Sequence, residues 1–513
     1  MIYETRCQQR LTVDKRKIKD FPKLSLANSF IRKPLCAISE GGKMGYGTTM
    51  INNSVPKKNK YIIFRNIIDN KIILYNEQNG NLYCFNETGK LIWNTIDGNK
   101  NIKEIVKSIK NKYEFSSKKI ENGIIDFVNT LIKHDLATIN KKDFSLLENN
   151  PSEIINDTVA IYKFINHHSG IYYPISVLYE LTYSCNEKCI HCYQDCKKTK
   201  RKKDLDTNSV KKIIDDLYKA GVFFIIFSGG EPFVRNDFYT ILEYTKKLNF
   251  SIDIFSNGTL IKKTDAKLIK DLTINKIHIS LYSLNPKIHD NITRVSGSHK
   301  KTIEAINFLR AENVKVSIKC PIMKDNYIDY YKLKDYVKSI GCEVNINPLI
   351  TPRDNGDITP QNLMINDDEI QNVLLDDDFK KSENISRFQK SSFDLSKIIP
   401  CNIFYTGASI SANGKVYPCN QLRIEIGDLS KNTFKNIWIK SEKLNNLRKI
   451  RMSDIEKCNT CNLFKFCTRC PGLAWLESGD VNGISSIACR FAAIREKLGI
   501  VQKNNNYLNV ERR

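Results

Sequence analysis

Three cysteines stand close together in the stretch Cys185-Asn186-Glu187-Lys188-Cys189-Ile190-His191-Cys192, separated by three and then two residues. The apolar run Ile175 to Leu181 comes just before them, so a strand feeding a short loop would turn the three sulfurs toward one point. A [4Fe–4S] cluster needs four ligands, and thiolates are its usual protein donors. With three thiolates from this loop, one iron keeps a position for a small molecule. A structural zinc site and three unrelated reduced thiols are the competing readings. Structural zinc usually takes four protein ligands, and His191 lies between two of the cysteines.

A second apolar run, Val222 to Phe227, ends in Ser228-Gly229-Gly230-Glu231-Pro232. Two glycines at a strand end let a ligand approach the backbone closely and expose their carbonyls. Taken together, the cysteine loop and this strand end resemble the radical S-adenosylmethionine (SAM) superfamily. The resemblance implies that the open iron chelates the amine and carboxylate of SAM, and that the Gly229-Gly230-Glu231-Pro232 strand end holds the amine. It implies reductive cleavage of SAM and removal of a hydrogen from substrate by the deoxyadenosyl radical. Ser256-Asn257-Gly258 and His278-Ile279-Ser280-Leu281-Tyr282-Ser283 are two more strand ends. The latter, followed by His289-Asp290 and Thr293-Arg294, resembles peptide-modifying and sulfatase-maturing members. By that resemblance Ser256 and Asn257 belong to the SAM site, Ser280 touches the ribose and Arg294 meets the carboxylate. His289 and Asp290 read instead as a turn or helix-capping pair.

The third signal is C-terminal. Cys401 and Cys419 are followed by Cys458, Cys461, Cys467 and Cys470, then by Cys489. Seven thiols so placed suit two cluster sites, with zinc ribbons as the competing reading. The arrangement resembles the SPASM extension, which carries auxiliary [4Fe–4S] clusters. Matched by position, Cys401, Cys419 and Cys470 would hold the first, and Cys458, Cys461, Cys467 and Cys489 the second. The extra cysteine that some relatives place before Cys401 is missing; Asp394-Leu395-Ser396 occupies that region. An iron there is left for a substrate thiolate or a ligand other than cysteine. Sulfatase-maturing relatives carry an aspartate base where this chain has Asn420. An amide cannot accept the proton, which disfavours formylglycine formation. Of the unassigned thiols, Cys196 lies nearest the first cluster loop.

These groups need a scaffold. A chain of 513 residues is long enough for about three domains. It has no N-terminal apolar segment and no run near the ~20 apolar residues that span a bilayer, so a cytoplasmic protein without membrane contact is expected. Sixteen cysteines in such a chain point to metal ligation rather than disulfides. The net charge of +24 comes from lysines spread over nearly every helix, which reads as a solvated basic surface. From residue 173 to 365 strands and helices alternate, with strands near Val177, Phe223, Ser251–Phe255, Lys276–Leu281, Lys315–Pro321 and Glu343–Asn347. Six such units predict an α/β fold, a parallel partial (β/α)6 barrel with its site at the carboxyl ends of the strands.

Residues 58–141 predict a small winged-helix module. Ile72–Tyr75 and Leu82–Phe85 flank a Gln78-Asn79-Gly80 turn, and Asn86 caps a helix through Trp93. A helix from Ile102 follows, and Ser116 or Ser117 caps another. The pattern Leu82-Tyr83-Cys84-Phe85-Asn86-Glu87-Thr88-Gly89, with Trp93 and Asp97-Gly98, resembles PqqD-like precursor-recognition domains. These bind a leader peptide by strand addition, here at Leu82–Phe85 beside the helix Ser117–His134. Glu121, Asn122 and Asp126 on that helix make a poor phosphate-facing surface, which argues against nucleic acid.

The remaining divisions are an extension (1–57), a linker (142–172), a connecting segment (366–400), the SPASM domain (401–495) and a tail (496–513). Within the extension, Met44-Gly45-Tyr46-Gly47 resembles the Met-x-Tyr-Gly tag from which some radical SAM/SPASM enzymes excise a tyrosine-derived unit. The resemblances together imply an enzyme that modifies a ribosomally made precursor peptide bearing a leader, supplied by a flavodoxin-like or ferredoxin-like electron donor. Thioether formation is the expected outcome. Tyrosine excision and a nucleic-acid-binding iron–sulfur protein are the alternatives.

Overall fold

The computed structural model describes residues 53–66, 71–113, 117–139, 172–194, 204–382, 385–387 and 394–502. Met44 to Gly47, Cys196 and nearly all of the 142–172 linker lie outside them. Strands β1 (Ile62–Asn66), β2 (Ile72–Asn76) and β3 (Leu82–Phe85) form one sheet in that order, leaving β3 at an edge. Helices α1 (Glu87–Thr95), α2 (Ile102–Tyr113) and α3 (Lys118–Lys133) follow. Asn86 caps α1 as expected, its side chain accepting from the Gly89 N–H. Ser117 occupies the cap position of α3 without a side-chain capping bond. Ile124, Phe127, Val128 and Leu131 make the buried stripe of α3, and Phe127 meets Phe85 edge-on at 5.1 Å.

Among the described residues two compact units emerge, one built on those up to 59 with those from 83 to 139, the other on those of 60–82 with those from 172 onward. The β1–β2 hairpin therefore belongs with the barrel, which the sequence reading did not anticipate. Arg65 of β1 explains it. The guanidinium is buried, donating from Nε to the Val222 carbonyl at 2.7 Å and from Nη1 to the Asn249 carbonyl at 2.9 Å. It lies over the rings of Phe250 and Tyr218, at 4.5 and 5.0 Å from their centroids. The Asn249 side chain closes the junction, accepting from the Phe64 N–H and donating to the Ile62 carbonyl.

The barrel strands are β4 (Ser176–Thr182), β5 (Phe224–Gly229), β6 (Ser251–Ser256), β7 (Lys276–Ser280), β8 (Val316–Pro321) and β9 (Glu343–Asn347). They pair in parallel and in sequence order, as a (β/α)6 barrel requires. Helix α4 (Thr207–Lys219) shows how the crossovers pack. Asp206 caps it, and Val210, Ile213, Ile214 and Leu217 recur at helical spacing as its buried face.

The sheet does not stop at β4. Strand β10 (Gly407–Ile410) pairs with it in parallel, and β11 (Lys415–Tyr417) and β12 (Gly427–Asp428) continue antiparallel. The start of the cysteine-rich C-terminal region is thus part of the barrel sheet, nine strands in all. Among the described residues, no helix is long and apolar enough to cross a membrane.

Candidate active site

A cavity of about 320 Å³ opens at the carboxyl ends of the barrel strands. Cys185, Cys189 and Cys192 line it together with Gly229, Gly230, Ser256, Asn257 and Ser280, so most of the residues selected for the catalytic cluster and SAM meet here. Sequence reasoning did not single out Phe255, Tyr282, Pro321, Leu349, Ile350 or Thr351, which complete the wall. Tyr282 lay within a quoted strand end, two residues after Ser280, which period-two side-chain alternation could have identified.

Three expected members stand apart from the wall. Glu231 is buried and does not line the cavity; its carboxylate accepts from the Phe233 and Asn257 N–H groups and from Ser256 Oγ at 2.7–3.1 Å. Burial pushes its pKa up to about 7 against the pull of those donors. Its observed work is to tie the end of β5 to that of β6. Pro232 follows it as the first residue of a short 3₁₀ turn. Arg294 is exposed in a left-handed conformation at the end of helix α5 (Pro286–Thr293) and donates to Asn291. It does not line the cavity. Asp290 caps the next helix, α6 (Ser298–Ala311), accepting from Gly297, Ser298 and His299, which agrees with a capping role.

The glycines carry a different constraint from the one expected. Gly229 has φ +126°, and a Cβ there would run into the Thr182 carbonyl oxygen; one at Gly230 would strike that of Ser184. Glycine is therefore demanded by the neighbouring strand where it enters the cysteine loop, as well as by any ligand beyond.

The cysteine loop is held from several sides. The Lys188 and Ile190 N–H groups donate to the Thr293 and Ile292 carbonyls, and Asn257 Nδ2 donates to Asn186 Oδ1 at 2.9 Å. Cys189 Sγ lies 3.4 Å from Glu187 Oε2 and 3.8 Å from the Tyr282 hydroxyl. Burial raises the Cys189 thiol well above its ordinary range and pushes Glu187 up to about 7. His191 packs edge-on against Tyr282 at 4.9 Å, and burial holds its pKa down to about 4, so the ring is neutral.

The C-terminal thiols separate into two groups. Burial first, then Cys470 and Cys419, raises the Cys401 thiol; Cys419 is likewise pushed to about 11 by burial and then Cys470. Cys467 is pushed to about 12 by burial, with Cys489, Cys458 and Cys461 adding to it. Gln421 Oε1 is the polar neighbour of Cys470, 3.5 Å from its sulfur.

All three sites offer thiol donors, three in the loop cavity and three and four in the C-terminal groups, which suits iron–sulfur clusters. No group of three His, Cys, Asp or Glu among the described residues closes on a single ion. A four-iron cluster does not require that, because each thiolate binds a different corner.

Comparison with known proteins completes the picture. The radical SAM superfamily profile matches residues 179–337, the coenzyme PQQ synthesis protein D (PqqD) profile 71–137, and an iron–sulfur cluster-binding domain, SPASM, 401–462. The AdoMet-dependent heme synthase of Methanosarcina barkeri is 25% identical over 334 residues, 60% of this chain and 94% of that protein. The mycofactocin maturase MftC of Mycolicibacterium smegmatis is 26% identical over 58% of this chain and 78% of its own. The crystal structure of Streptococcus suis SuiB bound to S-adenosylmethionine superposes with a TM-score of 0.51 at 18% identity, covering 85% of this chain and 99% of that one. That likeness concerns the fold. The cofactors these domains imply are a catalytic [4Fe–4S] cluster, auxiliary clusters and SAM. The chain belongs to the radical SAM superfamily, with its radical SAM domain set between a PqqD domain and a SPASM domain.

Proposed function

We propose that this enzyme modifies a ribosomally made precursor peptide and that its product carries a thioether joining a cysteine sulfur to a neighbouring carbon. The observation that carries the reading is the PqqD match over residues 71–137, with β3 lying at a sheet edge where a leader can add as a further strand. Similarity to a mycofactocin maturase supports it.

Cys185, Cys189 and Cys192 would hold the catalytic cluster, and Gly229, Gly230, Ser256, Asn257 and Ser280 would surround SAM in the same cavity. When bound, the reduced cluster and SAM supply the radical that takes a hydrogen atom from the peptide. Glu231 keeps two strand ends in register, and Leu349, Ile350 and Phe255 make an apolar wall that excludes water from the reacting carbon. Cys401, Cys419 and Cys470 would hold one auxiliary cluster, and Cys458, Cys461, Cys467 and Cys489 the other. A flavodoxin-like or ferredoxin-like protein would supply electrons.

A second reading, chemistry on a porphyrin, follows from the heme synthase similarity, which spans 94% of that relative. Excision at Tyr46 is a third, on residues outside those described. One anaerobic experiment separates them. The reconstituted enzyme is given SAM, reductant, iron-coproporphyrin III and the precursor encoded by a neighbouring small gene, and all components are weighed by mass spectrometry. Loss of two hydrogens from a cysteine-containing peptide supports the proposal. An unchanged peptide beside an iron porphyrin of altered mass supports the second reading. Loss of the tyramine equivalent from residues 40–49 supports the third.

A further inference from the structure

We propose that Arg469 is an electrostatic positioning residue shared by both C-terminal thiol groups, and that it raises the reduction potential of the two clusters they would hold. The inference rests on the reading of those thiols as cluster ligands. Its backbone lies between a member of each group, two residues after Cys467 and one before Cys470. Cys470 is the N-cap residue of helix α7 (Pro471–Ser478), while Cys489 lies in the first turns of helix α8 (Ser486–Leu498). Arg469 Nη2 donates to the Val481 and Gly483 carbonyls in the loop joining those helices. The side chain thus reaches from the segment bearing Cys470 to the loop that sets the helix bearing Cys489.

The rest of the guanidinium is unexplained by the polypeptide. Nε and Nη1 are buried and have no hydrogen-bond partner among the described residues. Burying a cation's donors without partners forfeits their solvation with no return, so such groups ordinarily face an acceptor. Acceptors on the neighbouring sulfurs and on bridging sulfides would answer that need. Clusters with thiolate ligands are anionic, and a fixed cation beside them favours the reduced state. If Arg469 were only a strut between loop and helix, potentials would not follow its charge.

The test uses the full chain with C185A, C189A and C192A, so that C-terminal clusters alone contribute iron. Iron is counted, then the clusters are titrated with reductant and followed by electron paramagnetic resonance. Absence of iron–sulfur clusters in this parent would overturn the cluster reading itself. With clusters present, R469Q should keep its iron and move both midpoints to more negative potential, while R469K should stay near the parent. Full iron with unmoved midpoints, or movement of one cluster alone, would overturn the shared role. Should R469Q lose iron, R469K decides, because it keeps the charge without the fork to Val481 and Gly483. Parent-like midpoints in it support the proposal, and midpoints shifted negative at full iron overturn it.

Discussion

Arg423 grips the fully buried Glu180 through both ends of its guanidinium, at 2.6 and 3.0 Å, and Tyr193 donates to the same carboxylate at 3.0 Å. Glu180 lies on the first barrel strand, Tyr193 directly follows Cys192, and Arg423 follows Cys419 by four residues. One ion pair therefore fastens the surroundings of the cysteine loop to the C-terminal thiol region. Removing one partner strands a charge in the interior. We expect R423M to lower stability by about 3–5 kcal/mol, and E180Q combined with R423M to recover much of it. Chemical denaturation of the two variants measures both, and equal losses would refute the pairing as the cause.

The glycine constraint gives a sharper contrast. Gly229→Ala meets the Thr182 carbonyl and also has to adopt φ +126°, whereas Gly297→Ala, at φ +77°, meets nothing within 4 Å. G229A should lose several kcal/mol and SAM binding with it, while G297A should cost only about 1 kcal/mol for its backbone conformation. Thermal melts and SAM titration of the two proteins check this.

Arg65 supplies a third expectation. Its hydrogen bonds to Val222 and Asn249 and its contacts with two aromatic rings depend on the planar fork, which lysine lacks. R65K should therefore destabilise nearly as much as R65A, by about 2–4 kcal/mol. Hydrogen exchange should show the loss at the amides of β1 and β2. A parent-like R65K would show that charge alone suffices.

Acid sensitivity follows from His289. Burial, reinforced by His299 and opposed by Asp290, holds its pKa down to about 4, against 6.5 for a free imidazole. The depressed value means that the folded state binds a proton less readily than the unfolded chain. Its contribution is complete above about pH 6.5 and is lost as pH falls toward 4, amounting to about 3 kcal/mol at most. H289N should flatten the decline in unfolding midpoint over that range. His191, held down in the same way, leaves a residual slope.

What could be read from the sequence was whatever neighbouring residues express together. The cysteine loop, the Gly229-Gly230 strand end and the alternation of strands and helices each lie in one short stretch, and the structure brings the first two into one cavity. The Asn86 cap and the apolar stripe of α3 were legible for the same reason. Long-range partnerships were not. Nothing near Glu180 announces Arg423, 243 residues away, and nothing near Arg65 announces Val222. Glu231 looked like part of a ligand site because its motif adjoins one, yet its partners are the backbone and side chains of the next strand end. Arg294 shared that fate, since a residue closing a helix in a left-handed conformation is placed by the turn.

The pairing of β4 with β10 also orders events in time. During synthesis the first barrel strand emerges about 230 residues before Gly407, which lies opposite Ser176 in the finished sheet. Until then one side of β4 offers unpaired N–H and C=O groups, the kind of edge that recruits foreign strands. A nascent chain stalled short of residue 400 would hold all six barrel strands and still be the form most prone to aggregate.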